Sequence, residues 1–295
     1  MSTLPIRSAA TERRLSLQRS ATNLFATGLS VVATVVVLVP LVAILGYLLY
    51  KGFSSLNWAF FTKPPAPVGE EGGGMANAIV GSGVILALAS AIGIPLGIGA
   101  GVYLAEYGRG SWFAEAIRFT ADVLNGVPSI VMGIAAYALI VAHQHHFSGF
   151  AGGLALAIMM VPTITRTTEE MLSTVPQMVR EAALGLGIPK WRTTISISLK
   201  TALPGIITGC MLAFARVAGE TAPLLFTALG NQFWNLNLDQ PMAALPLQIF
   251  AYAVSPYDEW HRLAWAGALV LIVMIMVSVT LVRIFANRGV LKGGQ

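Results

Sequence analysis

Charge is what this sequence has least of. Only 11% of its 295 residues are Asp, Glu, Lys or Arg, against about 25% in a soluble domain, while 56% are hydrophobic. With a mean hydropathy of +0.73, that balance describes a membrane protein and overrides the one or two soluble domains that length alone suggests. A single cysteine, Cys210, excludes an intramolecular disulfide framework, and its place within an apolar span reads as a buried, inert thiol. There is no GxxxxGK[ST], so the chain does not bind and split ATP by itself in the usual way, and no HExxH or GxSxG marks an intramembrane hydrolase. The net charge of +5 comes without a zinc, helix-turn-helix or RNA-binding signature, so nucleic acid is not an expected partner. No internal repeat of about 20 to 50 residues is visible.

The charges that are present cluster, and the intervals between them set the topology. None occurs from Ser20 to Tyr50. This run is too long, and too poor in a small-residue cleavage pattern, for an ordinary signal peptide, so a retained first span is expected near residues 24–50 behind an arginine-bearing tail. The loop from Lys51 to Gly74 carries Pro64, Pro65, Pro67 and EEGGGM; no Lys-Ser/Thr follows its glycines, so it reads as a flexible lead-in to the next helix and not as a phosphate cradle. A second charge-free run, Gly72 to Ala105, can span with tilt, with a kink expected at Pro95. Within it Ala89, Gly93, Gly97, Gly101 and Ala105 recur every four residues, a ridge along which another helix can come close.

Glu106 to Asp122 reads as a short polar connection. Val123 to Thr165 is free of full charge but too long for one helix, and His143–His146 with Ser148-Gly149 divides it into a helical hairpin. The three histidines stand at i, i+2, i+3 with no acid or cysteine nearby, which reads as a solvated turn rather than a metal site. A fifth span is expected from Thr201 to near Thr227 and a sixth from Leu263 to Val282. Between them Pro241 to Val254 is apolar but short and proline-marked, hence an interfacial or re-entrant segment.

Six spans place both termini on one side. Outside the spans, four Lys or Arg lie in the N-terminal tail, two in the second loop, five in the fourth and three at the C-terminus; only Lys51, Lys63 and Arg262 lie in the others. The positive-inside rule therefore puts the termini and the Arg166–Lys200 loop in the cytosol. The expected architecture is an all-α polytopic membrane protein of six transmembrane helices with one short cytosolic helix: a tail over 1–20, the first helix and an external loop over 21–74, a transmembrane domain over 75–286 and a cytosolic tail over 287–295.

That cytosolic helix lies in STVPQMVREAALGLGIPKWR. Thr174 is its expected N-cap, Gln177 the capping-box partner and Pro176 a first-turn residue, with Gly187 and Pro189 ending it. Val179, Ala182, Ala183 and Leu186 make a narrow apolar stripe. So short a helix is marginal in water and needs a surface, lipid or protein, to lie on.

Arg216 and Glu220 are the full charges inside an otherwise apolar span, each costing on the order of 2.5–3.5 kcal/mol at a helix centre. Their spacing predicts one helix face and a mutual pair. Counting about 1.5 Å per residue from Thr201 puts Arg216 roughly 20–25 Å up, slightly beyond the midplane. Two readings stay open: an ion pair that locks helices, or a guanidinium fork that replaces the hydration of an oxyanion while the carboxylate holds the arginine between anions. Arg166, at the cytosolic end of the fourth span, is either part of the same path or a snorkelling anchor.

Glu181-Ala182-Ala183, then three residues, then Gly187, with Ile197 and Leu199 following, resembles the EAA motif of type I ABC importer permeases, although Lys200 stands where that pattern ends in proline. EGGGMANAIVGSG, GVYLAEYGRGSW, FSGFAGG, RTTEEML and RVAGETAPLLFTALGNQFW extend the likeness over nearly the whole chain, to the PstA-type permease subunits of phosphate ABC importers. The resemblance implies the type I ABC importer fold, with 75–286 as its transmembrane domain, in a bacterial plasma (inner) membrane. It implies import of inorganic phosphate by a heterodimer with a second, related permease, served by a dimeric cytosolic ATPase and an external phosphate-binding protein. ATP and Mg are then held by the partner subunits, with no cofactor, metal or catalytic residue on this chain. Arg216 and Glu220 correspond to the family's functional arginine and acid, and Glu181, Ala182, Ala183 and Gly187 to the part that docks on the ATPase. Another oxyanion, sulfate or molybdate, is the alternative substrate. An ion-coupled secondary transporter would show inverted repeats, and a scaffold that moves nothing would leave the intramembrane charges unexplained.

Overall fold

The computed structural model describes residues 9–67, 70 and 72–292, with side chains from 19 to 284 within those ranges. The first eight residues of the N-terminal tail, Glu71 of the glycine-rich loop and the last three residues of the C-terminal tail lie outside the described residues. Among the described residues every regular element is helical, apart from one isolated bridge between Leu229 and Met242.

The chain divides into two compact units, Met1–Lys51 and Gly52–Gln295. The first holds most of α1 (Ala9–Ser54), which continues through Pro40 and leaves apolar side chains such as Phe25 and Val37 exposed. The second holds α2 (Trp58–Thr62); α3 (Ala76–Val102), prolonged by a π-helical turn at Tyr103–Tyr107; α4 (Trp112–Gly126); α5 (Ser129–Ala136), prolonged by Tyr137–Val141 and α6 (Ala142–Gln144); α7 (Gly149–Ser173); α8 (Gln177–Gly185); α9 (Lys190–Thr193), which runs through Thr194–Ser198 into α10 (Leu199–Ala218); α11 (Ala222–Thr227); α12 (Leu245–Ala253); and α13 (Asp258–Lys292). Five continuous helices, Arg19–Ser54, Ala76–Tyr107, Gly149–Ser173, Lys190–Ala218 and Asp258–Ile284, are long and apolar enough to cross a membrane. Trp112–Gly126 with Ser129–Gln144, bent by 111°, makes a sixth if it is one span.

The pair α3 and α7 forms the centre of the second unit, and the four-residue ridge explains why. A Cβ placed on Gly93 would lie 3.1 Å from Met160 Cβ, on Gly97 2.7 Å from Ile164 Cβ, and on Gly101 2.5 Å from Thr168 Cβ. At Gly97 and Gly101 a Cβ would force the helices to shift, and without one the backbones come close enough for dispersion to hold them. Gly205 and Gly209 of α10 face Met171 and Thr167 on the other side of α7 in the same way. Ile85, Leu86, Leu156, Met160, Ile164, Ile206 and Val217 fill the resulting core.

A second core joins α2, α12 and α13 through Phe60, Leu245, Tyr252, Leu263 and Val270. The expected short apolar segment is α12, nine residues long and largely buried. Ser82 Oγ of α3 accepts its first N–H, from Leu245, at 2.7 Å, and the Tyr252 ring stacks on Trp260 at 4.6 Å. The histidine turn also forms as expected: His145, with φ 61°, ends α6, and His146 Nε2 lies 3.7 Å from Asp239.

Two expectations need correction. Glu106–Asp122 is not a mere connection, because most of it is the amphipathic helix α4, with Ala114 and Ala121 buried and Trp112 and Phe119 exposed. Its charges recur at helical spacing and bind to α7. Val127, extended before Pro128, then breaks the helix, as the ring of a proline requires of its predecessor. The fifth span runs over Lys190–Ala218 rather than Thr201–Thr227. At its start two hydroxyls bond back into the helix, Thr193 Oγ1 donating to Pro189 O at 3.4 Å and Thr194 Oγ1 to Lys190 O at 3.0 Å. At its end Gly219 stops α10 and Pro223 opens α11.

Candidate functional site

Arg216 occupies the last turn of α10, where the carbonyl end of the helix dipole favours a cation. Gly219 N–H donates to Arg216 O at 3.4 Å and Glu220 N–H to Val217 O at 3.1 Å, closing the helix before Glu220 is reached. The four-residue spacing therefore does not place the two on one face, and the expected Arg216–Glu220 ion pair is not made. Arg216 is exposed and Glu220 half-buried. Among the described residues neither side chain has a salt-bridge or hydrogen-bond partner.

The break that carries them is well fixed. α11 is held by buried Leu224 and Thr227, with Thr227 Oγ1 donating to Pro223 O at 2.7 Å and Thr227 O accepting from Ser148 N–H at 3.0 Å. α5, on the far side of the bend, packs on it so closely that a Cβ on Gly133 would lie 2.8 Å from Pro223 Cα. An arginine and an acid thus sit free on a rigid interruption between two apolar helices.

Arg166 is placed differently. Its Nε and Nη2 donate to the two carboxylate oxygens of Asp122 at 2.7 and 2.6 Å, and Nη1 donates to Glu169 at 3.0 Å. Arg118 completes the cluster, with Nε on Glu169 and Nη1 on Glu115, both at 2.6 Å, and Nη2 on Leu104 O at 3.2 Å. Thr163 Oγ1 donates to Asn125 at 2.9 Å. These contacts staple α4 to α7. Among the described residues no group of three or more His, Cys, Asp or Glu is gathered for a metal ion.

The helix α8 begins at Gln177, after Pro176, with no side-chain cap. Thr174 Oγ1 instead donates to Met171 O at 2.7 Å and so finishes α7, and the Gln177 side chain accepts from Arg109 Nη1 at 3.1 Å. Pro176 fixes its own φ and has no N–H to cap, which displaces the expected capping box. The C-terminus is as expected. Gly187, with φ +79°, sends its N–H to Leu184 O at 2.9 Å, and Ile188 N–H reaches Ala183 O at 3.1 Å, a Schellman closure.

The buried face of α8 is also not the expected stripe. Arg180 and Ala183 turn inward, while Val179, Ala182 and Leu186 are exposed, as are Glu181 and Met178. Met178 and Leu186 are 77% and 81% exposed. The inward arginine gives Nε to Glu106 at 3.0 Å, Nη1 to Val175 O at 2.7 Å and Nη2 to Leu172 O at 2.6 Å. Sequence reasoning missed this pair. Its only linear trace is an acid closing a long charge-free run and an arginine immediately before EAA.

Residues 93–289 match the family described as the binding-protein-dependent transport system inner membrane component. The chain belongs to this family. It is accordingly a multi-pass inner-membrane subunit of a transport system and not an enzyme. Among relatives of this inner-membrane component, the phosphate transport system permease protein PstA of Yersinia pestis is 48% identical over 293 residues, covering 98% of this chain and 99% of that one. PstA of Haemophilus influenzae is 45% identical over 268 residues, covering 90% and 94%, and PstA 1 of Mycobacterium tuberculosis (strain H37Rv) 37% over 287 residues, covering 94% and 92%. Among solved structures, an inward-facing MetNI methionine ABC transporter chain aligns with a TM-score of 0.55 at 17% identity, over 75% of this chain and 98% of that one. A chain of an amino acid ABC transporter with histidines gives 0.52 at 18%, over 72% and 92%. The fold of this chain is therefore the type I ABC importer permease fold of these structures.

Proposed function

We propose that this chain is a permease subunit of an ATP-driven importer that carries inorganic phosphate inward, with Arg216 and Glu220 on the permeation path. The observation that carries this reading is the unpartnered arginine at the α10–α11 break. A cation left without a partner beside hydrocarbon is costly, so water, a second permease or the passing anion must serve it. Phosphate, whose oxygens accept a planar fork of donors, suits that vacancy. The near full-length likeness to phosphate permeases supports the choice of anion over sulfate or molybdate. Arg166, its donors already engaged by Asp122 and Glu169, serves in this reading as an anchor of α4 on α7.

The exposed surface of α8, made by Met178, Val179, Glu181, Ala182 and Leu186, is the docking face for a separate cytosolic ATPase dimer that holds ATP and Mg. Ala183 seats the helix, and Gly187 lets the chain turn away at its end. A paralogous permease completes the membrane heterodimer and an external phosphate-binding protein delivers the anion, with both termini of this chain in the cytosol. The test uses the purified complex in liposomes. ATP hydrolysis should rise on adding phosphate-loaded binding protein, with phosphate accumulating, and should not respond to sulfate with a sulfate-binding protein; stimulation by sulfate alone would overturn the assignment.

A further inference from the structure

We propose that the corner between α3 and α4, Glu106-Tyr107-Gly108-Arg109, is the bearing through which α8 moves the membrane helices, with Glu106 and Arg180 as its positioning residues. The inference rests on the reading of α8 as the ATPase-docking helix. Three contacts of different chemistry join the corner to the α8 region, and they are spread along it. Arg109 Nη1 donates to Gln177 at the start of α8 at 3.1 Å. Glu106 takes Arg180 in the middle, both N···O distances being 3.0 Å, with side chains only 6% and 11% exposed. Lys190, just beyond the end of α8, lies 4.7 Å from the Tyr107 ring centroid, within cation–π range. Contacts at the two ends and the middle resist both sliding and rotation.

The buried member of the set also ties in α7. The same guanidinium that grips Glu106 closes Leu172 O and Val175 O at the end of α7, so one side chain joins three elements. The corner itself is stiff: Gly108 N–H donates to Tyr103 O at 2.7 Å, and a Cβ on Gly108 would lie 2.7 Å from Ala114 Cβ. Beyond it the motion has two routes into the bilayer. One is α3, which meets α7 along the glycine ridge. The other is α4, fastened to the corner by Arg118 on Leu104 O, which leads to the bend at Pro128 and so to α5, packed on α11 next to Glu220. α8 thus transmits to the arginine site through the corner rather than through the fifth span alone.

The experiment uses the complete complex, this chain with its partner permease, ATPase and phosphate-binding protein, in liposomes. Arg180→Lys keeps the charge and loses the fork; Glu106→Gln keeps the shape and loses the charge. In each, the ATPase should still co-purify, while the stimulation of ATP hydrolysis by external phosphate-loaded binding protein falls at least tenfold. A contact that is merely structural would lower the yield of complex and leave the stimulation per assembled complex unchanged, and that result overturns the proposal. A second arm does not depend on those variants folding. Arg109→Cys with Gln177→Cys, joined by a short bis-maleimide, should leave the stimulation equal to that of the unjoined double variant, because corner and helix move as one body. Loss of stimulation on joining would refute it. If the wild-type complex shows stimulation without accumulating phosphate, the transport reading fails, and the stimulation ratios still judge the corner.

Discussion

At the residue scale, the division of labour among the arginines follows from what each can reach. Arg166 and Arg118 spend their donors on Asp122, Glu169 and Glu115, and Arg180 is buried against Glu106 and two carbonyls. Arg216 alone among these four keeps its fork free. A hydrogen bond to a charged group contributes about 1.5–3 kcal/mol, so losing even one to a passing anion is felt strongly. Arg216→Gln is therefore expected to lower phosphate uptake by at least about tenfold while the complex still assembles, read by labelled phosphate accumulation and co-purification. Uptake at the wild-type rate would remove Arg216 from the path.

At the scale of elements, α7 is the helix on which the second unit is assembled, because small residues on α3 and α10 let both neighbours lie against it. The consequence is selective sensitivity to bulk. Gly97 has Ile164 Cβ within 2.7 Å of where its own Cβ would stand, whereas at Gly99, two residues on, a Cβ would point into open space among the described residues. Overpacking a close contact costs about 1–3 kcal/mol, so Gly97→Leu should lower the melting temperature of the purified protein in detergent and Gly99→Leu should leave it nearly unchanged. Equal melting of the two would mean that the ridge does not govern packing. The ridge was legible in the sequence because a four-residue repeat of small residues is a one-dimensional pattern. α4 was not, because charges spaced along an amphipathic helix look like a polar loop until the partner surface on α7 is known.

At the scale of the whole molecule, the proposed orientation rests on the distribution of bases, which by the positive-inside rule assigns the loop bearing α8 to the cytosolic side. Arg192→Cys, in α9, should react with a membrane-impermeant maleimide only when the cytosolic face is opened; labelling in intact cells would invert the topology. In the proposed orientation the α10–α11 break and the loop beyond it face the outside. There Asn231 and Asn235 both donate to Pro241 O, at 3.1 and 2.9 Å, and Asn77 of α3 donates to Asn231 O at 2.8 Å. This loop is thereby tied to α3 rather than left as a free strand.

By itself the sequence determined that the chain is a bundle of apolar helices, which loops carry the bases, where the short α12 lies and that Gly187 ends α8. These are properties of hydropathy, charge count and backbone preference, which act along the chain. The tertiary structure alone decided who pairs with whom. Arg216 and Glu220, four residues apart, do not share a face because Gly219 ends the helix between them. Arg180 and Glu106, seventy-four residues apart, meet because the π-helical turn after α3 carries the acid under α8. A charge in a low-dielectric setting takes whichever partner the packed helices bring within reach, and that reach is a matter of three dimensions, not of spacing.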